Sequence, residues 1–328
     1  MMKRKDVIVL NSHGVGQYAY TDHMPKWGET LSVKNWYVAE DGGKGTNVAV
    51  ALGRLGIDTA YIGKVGMDPW GDLGEKWLKE AGVDAEYMYR TDEVSTGTGL
   101  ILIGPDGQNT VIDGDSSSIA LKEEEVFAAL DAMKGSRYFV TGFEVPMQIA
   151  LAGARHAKEL GMQTALNPSP LPEEEMGKLD YIDYLFINEV EGRYICNEAE
   201  DEVTDLHGLM EKVRASCGVS NVIMTMGSEG SAALCGDEFW TVPPVHIEKA
   251  VNTAGAGDGF MAAVTANLVW GKNLREAMEW AGYYAGLSVT INGTIPSYRP
   301  LEEVNAFIDQ TKKERPGEGG GIWDSAMR

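Results

Sequence analysis

The residues with the plainest chemical potential are Ala254-Gly255-Ala256-Gly257-Asp258. Small residues there, glycine above all, let a ligand reach the backbone without meeting side chains. Phe260, Met261, Val264 and Leu268 follow at the spacing of one helical face, and Gly271 is a stop signal. The turn therefore opens a helix. A helix N-terminus offers free N–H groups and a positive dipole end to an anion, most readily a phosphate. Asp258, in the first helical turn, is a like charge beside such a ligand. It has a use there if it takes the proton from a hydroxyl that attacks phosphorus. On these residues alone an ordinary tight turn, with Asp258 complementing the dipole, stays open as the alternative.

The elements that must hold this turn can be read along the chain. Val7-Ile8-Val9-Leu10 is an apolar run of strand length. It follows Lys3, Arg4 and Lys5 but is too short for a signal peptide. Asn11 to Gly16 form a polar, glycine-bearing loop, and Asp41-Gly42-Gly43-Lys44-Gly45-Thr46-Asn47 leads into helical spacing over Val48–Leu55. Thr59–Val65 predicts a strand and Trp70–Ala81 a helix. Two strand-rich segments, 14–40 and 86–114, interrupt this order and are expected to pair as a small separate sheet. The second holds the hairpin signal Gly104-Pro105-Asp106-Gly107.

Beyond residue 123 helices and strands alternate. Helices are expected near Glu123–Met133, Met147–Leu160 and Val203–Ala215, and strands at Tyr138–Thr141, Gln163–Leu166, Leu185–Ile187 and Val222–Thr225. A hairpin is expected around Gly236-Asp237. Long helices follow near 255–270 and 274–290, the second opened by an Asn273/Glu276 capping pair, and a last one at Leu301–Lys312. The fold class is α/β: a mainly parallel sheet covered by helices on both faces, with a small β-sheet lid. Residues 1–314 read as one domain. The glycine-rich 315–328 reads as a flexible tail.

Composition narrows the function. The chain has 328 residues, 44% hydrophobic and 23% charged, as in soluble globular proteins. With 28 Lys+Arg against 49 Asp+Glu, its net charge of -21 argues against nucleic-acid or anionic-membrane partners. A nucleotide would have to be held by local devices: amides, a metal, a few placed cations. Cys196, Cys217 and Cys235 have no metal-ligand spacing, and their odd number fits reduced thiols and a cytoplasmic location. No G-x-x-x-x-G-K-[ST] run is present, which argues against a P-loop mechanism.

Two motifs carry a family resemblance. Gly42-Gly43-Lys44-Gly45-Thr46-Asn47-Val48-Ala49-Val50-Ala51, with Arg54-Leu55-Gly56, resembles the N-terminal signature of the ribokinase-like (PfkB-type) sugar kinases. Thr253-Ala254-Gly255-Ala256-Gly257-Asp258-Gly259-Phe260 resembles their C-terminal signature. Between them, Pro25-Lys26-Trp27-Gly28-Glu29-Thr30 resembles the family's lid segment and Asn188-Glu189-Val190-Glu191 its N-x-x-E motif. Thr225-Met226-Gly227-Ser228-Glu229-Gly230 resembles its T-x-G-x-x-G stretch, and Gly293-Thr294-Ile295-Pro296-Ser297 the loop by its adenine and cation sites.

The resemblance implies a Rossmann-like domain with a β lid and ATP-dependent phosphorylation of a small sugar or polyol; Lys26, Lys34 and Arg90 are scattered rather than clustered, which favours an unphosphorylated acceptor. It makes Asp258 the general base and Gly255, Ala256 and Gly257 the anion hole. Gly42, Gly43, Lys44, Asn47 and Glu144 would meet the acceptor, and His13, in the loop after the first strand, would face it too. Asn188, Thr225, Gly227, Gly230 and Asn292 would meet the nucleotide. Glu191 would order water around Mg2+, and Asn252 and Ser297 would hold a monovalent cation such as K+. A homodimer through the lid is expected. The pattern also departs: ribokinase holds its sugar with an Asn and an Asp where this chain has Gly14 and Gly16, and many relatives have an Asp where Asn252 stands. The aromatic lid (Tyr18, Tyr20, Trp27, Trp36, Tyr37) keeps a nucleoside kinase as an alternative, and a non-catalytic sugar- or nucleotide-binding protein is a further one.

Overall fold

The computed structural model describes residues 3–33, 35–38, 40–104, 109–198 and 205–314. Its centre is β1 (Val7–Leu10), an apolar run buried at every position. Such a strand needs neighbours on both edges and cover on both faces. The chain then leaves for a second sheet with β2 (Gly14–Tyr20) and β3 (Trp36–Val38). It returns through α1 (Gly43–Arg54), β4 (Thr59–Gly66), α2 (Pro69–Glu80) and β5 (Asp84–Thr91). A second excursion makes β6 (Gly97–Ile103) and β7 (Asn109–Asp113).

The alternating half follows: α3 (Glu123–Ala132), β8 (Tyr138–Gly142), α4 (Met147–Glu159), β9 (Gln163–Asn167), β10 (Tyr184–Asn188), α5 (Glu189–Ile195), α6 (Leu206–Cys217) and β11 (Asn221–Thr225). The hairpin β12 (Ser231–Cys235) and β13 (Glu238–Val242) comes next. Last are α7 (Ala256–Val269), α8 (Leu274–Ser288), the short α9 (Thr294–Ser297) and α10 (Leu301–Glu314).

The main sheet has nine strands in the order β13-β12-β11-β10-β9-β8-β1-β4-β5. All neighbours are parallel except the closing β11–β12–β13 hairpins. One apolar cluster joins α1, α7 and α8 to one face; another joins α3, α4 and α6 to the other. The Asn273/Glu276 capping box of α8 forms as expected. α7 differs from the one-faced helix its spacing suggests. Ala262, Ala263 and Ala266 are fully buried beside Phe260, Met261 and Val264, so the helix is enclosed nearly all round. It packs between α1 and α8, where small side chains allow close approach.

The second sheet is the lid, with four strands in the order β3-β2-β6-β7. β2 and β6 run parallel, Gly14 opposite Gly97 through Tyr20 opposite Ile103, and the outer pairs are antiparallel. Here the expected boundary is corrected. Residues 84–91 form β5, the edge of the main sheet paired to β4, so the lid's second segment begins at Gly97. β5 packs Met88 into one apolar cluster and Tyr87 and Tyr89 against the other, but leaves Glu86 and Arg90 exposed, a mixed pattern that resembles a lid strand. The lid exposes Trp27, Trp36, Tyr37, Val38 and Ile112. The hairpin turn at 105–108 and the tail 315–328 lie outside the described residues.

Candidate active site

Gly255 caps the N-terminus of α7 with a φ of 73°, in the left-handed region. A Cβ there would lie 2.1 Å from Thr294 Cγ2 and 2.5 Å from Tyr298 Oη, so only glycine fits. The Tyr298 hydroxyl donates to Gly255 O at 2.9 Å. Ala256 N–H makes a long turn bond of 3.3 Å to Thr253 O. A Cβ on Gly257 would meet no atom within 4 Å. The first turn of α7 thus presents backbone to open space, with N–H groups that have no intrahelical acceptor.

Asp258 hangs from that turn. Its Oδ2 accepts from Asn47 Nδ2 at 3.0 Å, and Lys44 Nζ lies 3.6 Å from its Oδ1. Both partners come from the start of α1, which begins inside the glycine motif rather than at Val48 as the periodicity predicts. Gly43 has a φ of 69°, and a Cβ there would crowd Gly14 N at 3.0 Å and Glu144 Oε2 at 3.2 Å. The charge of Asp258, and then those of Glu144 and Glu191, raise the Lys44 ammonium above its ordinary value against its own desolvation. Asn47 also donates to Asp41 Oδ1 at 3.0 Å and accepts from Gly42 N at 3.1 Å. Burial raises the Asp41 carboxyl, and the Asn47 amide pulls it back.

Glu144 closes the other side. Its Oε2 accepts from Lys44 N at 2.8 Å and from the Ser12 hydroxyl at 2.6 Å. Burial pushes its carboxyl up to about 7, against the pull of Lys44 and Ser12. Folded Glu144 therefore binds more protons than unfolded Glu144 between about 4.5 and about 7. Its contribution to stability falls as pH rises through that window and is flat above it. Glu144→Gln does not titrate, so its stability relative to the parent should rise across the same window by about 2–3 kcal/mol. Chemical denaturation of both proteins at pH 5 and pH 8 measures the change; a gap independent of pH would contradict the raised ionisation.

Two cavities meet at α7. One, of about 530 Å3, is lined by Thr225, Gly227, Gly230, the apolar coil Val242–Ile247, Ala256, Gly257 and the small residues Gly282, Ala285 and Gly286 of α8. The other, of about 80 Å3, is lined by Lys44, Asn188, Glu191, Thr225, Gly257 and Asp258. They share Thr225, Gly257 and Phe260. The larger has the size and apolar walls of a small-molecule site. The smaller lies between it and Asp258. Asn188 and Glu191 bond reciprocally at the start of α5, each at 2.8 Å, which leaves Glu191 one carboxylate oxygen for other partners. Among the described residues no group of three or more His, Cys, Asp or Glu could hold a metal. With that remaining oxygen Glu191 could touch a hydrated ion through water.

The structure gathers Gly255, Ala256, Gly257, Asp258, Gly42, Gly43, Lys44, Asn47 and Glu144 about one point, and Thr225, Gly227 and Gly230 about the larger cavity. His13 does not face an acceptor. It is fully buried; its Nε2 lies 3.0 Å from Trp70 O, and its Nδ1 lies 2.9 Å from the Thr46 hydroxyl and 3.0 Å from Gly42 O. Burial lowers its pKa to about 4, so the ring is neutral and buttresses the glycine motif from behind. Asn292 is not among the residues lining the larger cavity; its Oδ1 accepts from Asn252 Nδ2 at 3.4 Å. Asn252 Oδ1 also accepts from Ala254 N, and Ser297 Oγ donates to Thr294 O. Sequence reasoning missed Ser12 and Asp41. It also missed the wall at Val242–Ile247 and α8, although Gly282, Ala285 and Gly286 at helical spacing are a signal that something approaches that helix closely.

A nine-stranded α/β body, a four-stranded cover and a glycine-led helix mouth holding one carboxylate define the ribokinase-like class of kinases. Residues 20–300 match the model of the pfkB family of carbohydrate kinases, and the chain belongs to that family. It is a carbohydrate kinase. A ribokinase of Staphylococcus aureus (strain COL) is 30% identical over 302 residues, which cover 91% of this chain and 98% of that one. A deoxyribokinase of Salmonella typhi is 29% identical over 304 residues, 92% of this chain and 98% of the relative. The structure of Arabidopsis thaliana ribokinase complexed with ribose and ATP superposes with a TM-score of 0.85 at 27% identity, over 93% of this chain and 99% of that one. A nucleoside kinase of Methanocaldococcus jannaschii shares the fold at a TM-score of 0.79 and 17% identity. No helix among the described residues is long and apolar enough to cross a membrane.

Proposed function

We propose that the chain transfers the γ-phosphoryl group of ATP to a hydroxyl of a small, unphosphorylated sugar or polyol. The observation that carries this is the placement of Asp258: it hangs from the open N-terminus of α7, in a small cavity that adjoins the larger one and is closed by Lys44 and Asn47. ATP fits the larger cavity, its adenine against the apolar coil and α8, its phosphates toward Gly257. Magnesium, brought with the nucleotide, would lie by Glu191 and neutralise phosphate charge when bound.

The protein's own groups do the rest. Gly42, Gly43, Asn47, Asp41 and Glu144 orient the acceptor's hydroxyls. Asp258 takes the proton of the attacking hydroxyl, and the Gly255–Gly257 amides hold the charge that builds on the transferred group. Lys44, 3.6 Å from Asp258 Oδ1, adds a positive charge near the phosphates. The lid closes the site to water, which limits idle hydrolysis. Carboxylates of Asp41, Glu144 and Asp258 gather here around the ammonium of Lys44, a balance that disfavours acceptors already bearing phosphate.

A panel of free pentoses, hexoses, polyols, sugar phosphates and nucleosides, scored by ADP release and by product mass, tests the proposal. Turnover is expected on a neutral sugar or polyol. Turnover confined to nucleosides, or tight binding with no phosphorylated product anywhere, would reject it. The same panel run with potassium and with tetramethylammonium tests the cation site proposed at Asn252 and Ser297.

A further inference from the structure

Arg54, part of the N-terminal motif, has no place yet in the chemistry. It ends α1, and its guanidinium donates from Nη1 to the carbonyls of Ile295 and Tyr298, the latter at 2.8 Å. Those carbonyls belong to α9 and its C-cap; Ile295 O also accepts a long 3.4 Å bond from Tyr298 N–H, and the last carbonyls of so short a turn are otherwise without intrahelical donors. A guanidinium suits this task because it is always charged and presents several donors in a fixed fork. What it holds in place is consequential. Thr294 and Tyr298 are the residues packed against the α-carbon of Gly255, and the Tyr298 hydroxyl bonds Gly255 O. Tyr298 is 1% exposed and stacks on Tyr284 at 6.3 Å, so its ring has little freedom. Burial holds its hydroxyl protonated, hence always a donor. Gly255 O accepts also from Gly259 N–H at 2.9 Å, the first bond of α7.

We infer that Arg54 and Tyr298 are positioning residues for phosphoryl transfer: they clamp the Gly255 turn, and so the amides beside Asp258, to the far end of the helix that binds the acceptor. α1 then touches the reaction centre twice. Its first turn holds the acceptor groups and Asp258, and its last turn fixes α9, which fixes Gly255. The spacing between base, anion hole and acceptor is set by one rigid rod. The inference rests on the proposed function above for its catalytic meaning, though not for its geometry.

Tyr298→Phe removes one hydroxyl and keeps the packing, and Gly255 O keeps its bond from Gly259. The expected result is a kcat about tenfold lower, an acceptor KM within about twofold of the parent, a near-parental melting temperature and about tenfold faster amide exchange at Gly259. Arg54→Met should lose more kcat than Tyr298→Phe, and Arg54→Lys, which offers a point donor in place of a fork, should recover part of it. Parental kcat and parental Gly259 exchange in Tyr298→Phe would overturn the inference. So would losses in kcat that merely follow global unfolding. Should the parent phosphorylate nothing in the panel, the proposed function falls; Gly259 exchange in Tyr298→Phe still decides the clamp, faster exchange supporting it and unchanged exchange rejecting it.

Discussion

Asp258→Asn should lower kcat by about 10²–10⁴-fold while the fold and the acceptor KM stay near those of the parent. The replacement is isosteric, and its amide oxygen can still accept the 3.0 Å bond from Asn47 Nδ2. What is lost is proton affinity: an amide cannot take the hydroxyl proton as the new O–P bond forms. The anion hole and the bound nucleotide remain, so catalysis above background should persist at a low level. Lys44 loses the charge that most raises its ammonium, a secondary effect on phosphate placement. Steady-state ADP release with the best acceptor, alongside thermal melting of both proteins, gives the answer. A variant within about tenfold of the parent would remove Asp258 from its proposed role.

A pair of glycines at the same turn should separate stability from turnover. Gly255→Ala places a methyl at a φ of 73° and 2.1 Å from Thr294 Cγ2. The left-handed conformation alone costs about 1–2 kcal/mol, and the overlap adds to it. The turn must move, so the melting temperature and kcat should both fall, kcat by on the order of 10²-fold or more. Gly257→Ala meets no atom within 4 Å. Within a helix the change favours stability by about 0.5–1 kcal/mol. Yet Gly257 lines both cavities and its methyl would stand in open space, on the path proposed for the transferred group. Turnover should drop by on the order of 10²-fold with no loss of melting temperature. Melting curves and kcat for both variants form the test. Equal effects of the two on stability, or a fully active Gly257→Ala, would contradict the geometry.

These sites were legible because glycine, small residues and a lone acid at a helix start leave few physical readings. Most of the α/β order was legible for a similar reason: a fully buried strand such as Val7–Leu10 has no polar face to confuse the pattern. Edges were harder. β5 carries a mixed, mostly half-buried pattern, and only its pairing to β4 shows which sheet it joins. His13 misled because its position in a polar loop says nothing of which way its ring turns; here it turns inward to Thr46 and Trp70. Ser12 and Asp41 were missed because a hydroxyl or an acid near a turn is ordinary. Their meaning comes from partners 132 and 6 residues away. The cavity wall at 243–247 lacks a periodic signal, being coil.

The enclosure of α7 on nearly every side bears on how such an enzyme can diversify. A reactive apparatus mounted on an axle that the interior grips cannot drift without unfolding the molecule. The cover strands, whose Trp36, Tyr37, Val38 and Ile112 stay exposed, have no such restraint. Novelty in acceptor choice can therefore accumulate on the cover while the engine stays as it was.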